Sequence, residues 1–108
     1  MKRGDIVIAA IAGDYGKPRP YVVVQTNALA EMDSVILCPT TSDVRGASAI
    51  RVPLRTDAET GLRAPSEIMV EKLQTVRRNR ISQVIGRLDD EAISLLDARL
   101  AFVLGLRG

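Results

Sequence analysis

The sequence predicts a single mainly β domain closed by one C-terminal α-helix. Short apolar runs punctuated by turn residues, one strongly helical stretch near the end and a length that admits one core all point that way. At 108 residues the chain can enclose one hydrophobic core but not two. Hydrophobic residues make up 46% and charged residues 26%, the balance of a folded chain rather than a disordered one.

The first strand is expected over Ile6 to Ile11, and the loop after it, Ala12 to Lys17, carries Gly13, Asp14 and Gly16. The second, Tyr21 to Thr26, opens with Tyr21-Val22-Val23-Val24, an unbroken apolar run that reads as buried on both faces. Asn27 to Asp33 fits a brief helical turn, and Ser34 to Cys38 is the third strand. A loop at Thr41 to Ser48, marked by Ser42, Asp43 and Gly46, precedes a fourth strand at Ala49 to Leu54. Ile68 to Val76 and Gln83 to Leu88 complete six strands, which in so short a chain imply a compact barrel or a strongly bent sheet.

The helix is expected from Asp90 to Leu104. Asp89-Asp90-Glu91 supplies an N-cap and negative charge at the amide end, and Gly105 stands where a helix terminates. Ile93, Leu96, Leu100, Val103 and Leu104 form the apolar stripe, flanked by Asp97 and Arg99, while Leu95 and Phe102 widen it beyond a narrow seam, a surplus that fits either more core or a second copy of the chain.

Absent residue types narrow the chemistry. With no histidine and a single cysteine, the chain can build neither a Ser-His-Asp triad nor a Cys-His pair, and it lacks the ligands of an ordinary zinc site. Cys38, beside Val35, Ile36 and Leu37, reads as a small buried hydrophobe. No metal or other cofactor is expected. No run of about 18 apolar residues is present, so no membrane partner is expected and the default location is cytoplasmic. The formal charge of +2 suits a polyanionic partner without requiring one.

Gly16-Lys17-Pro18-Arg19-Pro20 runs directly into the second strand. Proline fixes its own φ and biases the residue before it toward extended backbone, so Arg19 is held between two constraints and its guanidinium is pre-ordered for phosphate. Arg77-Arg78-Asn79-Arg80, the densest basic cluster, reads as a solvated turn between strands. Tyr15, Tyr21 and Phe102 are the whole aromatic inventory, too few for an extended base-stacking platform; Tyr15 is the one set to stack on a base.

The order of these signals resembles one family. Arg3-Gly4-Asp5-Ile6-Val7, Gly16-Lys17-Pro18-Arg19-Pro20, Tyr21-Val22-Val23-Val24-Gln25, Leu37-Cys38-Pro39-Thr40-Thr41-Ser42, Gly61-Leu62, Pro65-Ser66, Val70-Glu71-Lys72-Leu73, Arg80-Ile81 and Ile85-Gly86 follow one another as in the MazF/PemK toxins of bacterial toxin-antitoxin pairs. The resemblance implies an SH3-like small barrel (the CcdB/MazF/PemK toxin fold) acting as a homodimer and neutralised by a cognate antitoxin. It also implies metal-independent, sequence-specific cleavage of single-stranded RNA by the ribose 2′-hydroxyl, leaving a 2′,3′-cyclic phosphate and a 5′-hydroxyl. It assigns catalysis to Arg19 and Thr41, with Thr40 as the near competitor, and RNA contacts to Gly16, Lys17, Thr40, Ser42, Glu71 and Lys72. Glu71 matches an acidic residue of many relatives, whereas Lys72 stands where they carry glutamine, and the first loop is shorter than in many of them. A CcdB-like gyrase poison is the alternative on the same fold, although the chain ends in Leu106-Arg107-Gly108 without an apolar, aromatic helix end. A proline-peptide adaptor would need an aromatic groove that 3% aromatic content cannot build.

Overall fold

A computed structural model of the chain describes residues 1–11, 16–46 and 48–107. Gly13, Asp14 and Tyr15 lie outside the described residues. Among the described residues seven strands precede one helix: β1 (Asp5–Ala10), β2 (Pro18–Val23), β3 (Ser34–Thr41), β4 (Arg51–Leu54), β5 (Ser66–Met69), β6 (Gln74–Arg77), β7 (Ile81–Arg87) and α1 (Asp90–Leu104). All pairings are antiparallel, in the order β4-β5-β3-β2-β1-β7, with β6 also paired to β3. The expected helical turn after β2 is a single 3-10 turn at Asn27–Leu29, where the Thr26 hydroxyl accepts from the Ala28 amide.

The central strands are buried on both faces. Ile6, Val22 and Cys38 face one apolar cluster, shared with Leu96 and Leu100 of α1, while Val7, Tyr21, Val23, Val35 and Leu37 face another. This explains why β2 reads as a continuous apolar run: alternation disappears when neither side of a strand meets water.

The expected single strand from Ile68 to Val76 is two strands. Thr40 pairs with Ile68, so residue numbers there sum to 108, whereas Leu37 pairs with Gln74 and the sum is 111. The three residues of difference leave the ladder as a 3-10 turn, Val70–Lys72, opposite the stretch where Pro39 has no amide to donate. Val70 compensates by donating its N–H to Ile50 O at 3.0 Å and burying its side chain completely.

The helix has the expected bounds. Asp89 caps it by accepting from the Ala92 amide at 2.8 Å, and Gly105 ends it with φ 69°. Arg3 ties α1 to the barrel through Asp97 at 2.7 Å, and Arg99 donates to Arg51 O at 3.3 Å. Leu104 departs from the expected core stripe: together with Phe102 and Leu106 it is more than half exposed at the end of the helix. Among the described residues no helix is long and apolar enough to cross a membrane.

Candidate active site

Two strand ends build the site. Tyr21 pairs with Pro39 as the last pair of the β2–β3 ladder, and Arg19 and Thr41 lie two residues beyond it, one on each strand. Both line the same groove. At this point β3 parts from β2 and pairs with β5. The Thr40 hydroxyl bridges the parting strands, donating to Pro20 O at 3.0 Å.

The two threonines therefore differ in what their hydroxyls are doing. Thr40 commits its proton to the scaffold. Thr41 Oγ1 accepts from the Asp43 amide at 3.1 Å, and its own proton has no acceptor among the described residues. Among the described residues the Thr41 proton is available to a ligand and the Thr40 proton is not, a difference between the expected catalytic hydroxyl and its near competitor.

Arg19, Thr40, Thr41 and Ser42 line one open groove of about 770 Å³. Ile8, Tyr21, Met69 and Ile85 contribute apolar surface, and Pro20, Pro39, Gly61 to Ala64, Ser66 and Gln83 complete the lining. Two arginines, Arg19 and Arg63, stand in it, and no aspartate or glutamate does among the described lining residues. The four other expected contact residues lie elsewhere in a single chain. Gly16, with φ 72°, and Lys17 precede β2 at the surface, while Glu71 and Lys72 form the 3-10 turn beyond β5.

Glu67 holds the loop that follows Thr41. Only 2% exposed, it accepts from the amides of Arg45 and Gly46 at 3.2 Å each and pairs with Arg51 at 3.1 Å. A buried carboxylate with three donors anchors the loop from below while its own charge stays out of the groove. Neither Glu67 nor Arg63 stands out in the sequence. The one available signal is position, since Arg63 lies between Gly61-Leu62 and Pro65-Ser66 and Glu67 directly follows them.

Cys38 takes no part. Its thiol is fully buried, and its pKa is pushed up to about 12 by that burial and then by the nearby Glu71 carboxylate, against a smaller opposing effect of Arg3. It stays a neutral thiol at physiological pH. Glu71 keeps one buried carboxylate oxygen without a hydrogen-bond partner among the described groups. Among the described residues no cluster of three or more acidic or cysteine side chains is arranged to hold a metal ion.

Residues 2–104 match the family described as "PemK-like, MazF-like toxin of type II toxin-antitoxin system". The chain belongs to the PemK/MazF toxin family. Over 109 aligned residues, covering 100% of both chains, it is 35% identical to "Probable endoribonuclease MazF" of Mycolicibacterium smegmatis. It is 27% identical to "Endoribonuclease EndoA" of Bacillus subtilis, over 98% of this chain and 96% of that one. Among solved structures, the Mycobacterium tuberculosis toxin MazF-mt6 superposes with a TM-score of 0.82 at 27% identity, covering 96% of this chain and 99% of that one. An endoribonuclease from mycobacterial species, solved with its cognate antitoxin, shares the fold at 16% identity, with a TM-score of 0.83 over 100% of this chain and 98% of that one. The expected mainly β architecture with a C-terminal helix is thus the MazF toxin fold.

Proposed function

We propose that this PemK/MazF toxin is a sequence-specific endoribonuclease that cuts single-stranded RNA through the ribose 2′-hydroxyl without a metal ion. The observation that carries the reading is the shared groove of Arg19 and Thr41, cationic and without a described carboxylate among its lining residues. The 2′-oxygen attacks phosphorus and forms a new P–O bond, while the bond to the 5′-oxygen breaks. The proton lost from the 2′-hydroxyl is balanced by one gained at the 5′-oxygen. The products are a 2′,3′-cyclic phosphate and a 5′-hydroxyl, and no water is consumed.

Negative charge grows on the non-bridging phosphoryl oxygens as the bond forms, and a planar guanidinium donates to two of them at once. Arg19 takes that role. It stays protonated at any working pH and so is not the base. Thr41 donates its uncommitted hydroxyl proton to a phosphoryl oxygen. Ser42, beside it on the rim, and Thr40, through the carbonyl it holds, position this pair; Gly16 and Lys17 at the entry to β2 and Glu71 and Lys72 on the 3-10 turn extend the RNA path beyond the groove. The lack of histidine and the burial of the one cysteine support a route without zinc.

The active form is a homodimer, in keeping with the apolar surface that Phe102, Leu104 and Leu106 leave uncovered. A cognate antitoxin restrains it, as in the solved antitoxin complex of a protein with this fold. Incubating the purified protein with a long RNA in the presence of a chelator tests the reading. Cuts at one recurring short sequence, with cyclic phosphate and 5′-hydroxyl ends, are expected. Intact RNA, or 5′-phosphate ends, would overturn it.

A further inference from the structure

Arg63 shares the groove with Arg19 but comes from a different segment, and its backbone is held as firmly. On its N-terminal side Leu62 is buried in the core, and the Thr60 hydroxyl accepts from the Leu62 amide at 3.3 Å while donating to Arg55 O at 2.7 Å. Gly61 donates its amide to Asp57 O at 3.0 Å, with φ 68°, so close to β7 that a Cβ there would collide with the Ile85 carbonyl. Gly86 meets the Thr60 carbonyl just as closely, and Arg87 donates to Glu59 O at 2.9 Å. On the C-terminal side Pro65 biases Ala64 toward extended backbone, and the Ser66 hydroxyl donates to Ala64 O at 3.0 Å.

The side chain is exposed, and it forms no ion pair or hydrogen bond with any described residue. A guanidinium on a clamped backbone, sharing a cavity with a second guanidinium and no described carboxylate, gains favourable electrostatics when an anion enters.

We infer that Arg63 binds a phosphate of the RNA other than the one being cleaved, and so sets affinity and strand register rather than the rate of the chemical step. The inference rests on the RNA-cleaving function proposed above. Arg19 and Thr41 lie two residues beyond the last β2–β3 pair and line the groove together, and the proposed function sets the reacting phosphate between them; Arg63 reaches the same groove from the loop leading into β5.

Binding of a short, uncleavable 2′-O-methyl RNA over a range of potassium chloride concentrations tests this, alongside cleavage of the matching unmodified RNA. Each phosphate contact to a single strand contributes about 0.7 to the slope of log affinity against log salt. Arg63→Gln should flatten that slope by about 0.7, raise KM about tenfold and leave kcat within about twofold; these last two are order-of-magnitude expectations for removing one charge-assisted hydrogen bond that the ground and transition states share equally. Arg63→Lys should restore the slope, and Arg55→Gln, outside the groove, should not change it. An unaltered slope in Arg63→Gln, in a parent that binds and cuts RNA, overturns the inference and leaves the proposed function standing. A parent that binds with an Arg63-dependent slope but never cuts overturns the function and, with it, the inferred division between a phosphate held and a phosphate cleaved. A parent that does not bind RNA overturns both.

Discussion

Two concavities of the molecule differ in electrical character. The groove at the ends of β2 and β3 holds Arg19 and Arg63 without a described carboxylate. The cleft of about 310 Å³ between β4 and the start of α1 holds Arg55 and Arg87 among Asp57, Glu59, Asp89 and Glu91. Acidic side chains thus line the cleft together with its arginines. The buried Glu67 carboxylate, which does not line the groove, is taken up by Arg51 and the amides of Arg45 and Gly46. Both regions are concave, so shape does not separate them. The balance of charge among the described lining residues does, and it favours the groove for the polyanionic substrate proposed above.

The sharpest test of that contrast removes one arginine from each region. Arg19→Ala should slow cleavage by about 100- to 1000-fold, the usual effect of losing a donor to developing transition-state charge, while Arg55→Ala should cut at the parental rate. Single-turnover rates on one defined RNA give both numbers, and equal losses would erase the distinction.

Next in size is the contrast between the two threonines. Thr41→Val removes a hydrogen bond to a charged phosphate and should reduce the rate by about 10- to 100-fold with little change in melting temperature, and Thr41→Ser should recover most of it. Thr40→Val should do the reverse, costing about 1 kcal/mol of stability in a urea titration while the rate changes far less. A large rate loss in Thr40→Val instead would assign the donor to the wrong hydroxyl. The smallest change gives the groove what the cleft already has: Gln83→Glu adds one carboxylate to the lining and should raise KM by about tenfold at low salt, fading as salt screens it. A KM that stays flat would mean that the charge balance of the lining does not govern RNA affinity.

Much of this arrangement is legible in the sequence because it is encoded locally. Pro18 and Pro20 around Arg19, the Asp89 cap and the Gly105 stop all act within a few residues, and they set the helix bounds and the stiff entry to β2. The break at Val70–Lys72 is a matter of register between β3 and two other strands, and register is a long-range property that no window along the chain contains. Glu67 is hidden for the same reason. In the sequence it is a polar residue in a strand, and only the fold brings the Arg45, Gly46 and Arg51 donors to it from 16 to 22 positions away. Four expected RNA contacts, Gly16, Lys17, Glu71 and Lys72, sit outside the groove of one chain, because motif order carries no guarantee of spatial closeness.

Gly61 and Gly86 press two backbone segments so close together that no side chain fits between them. Replacing either glycine would push these segments apart, whereas residue 63 stands exposed on the frame they build. The pinch therefore lets the charge presented over the groove be exchanged without disturbing the backbone that carries it.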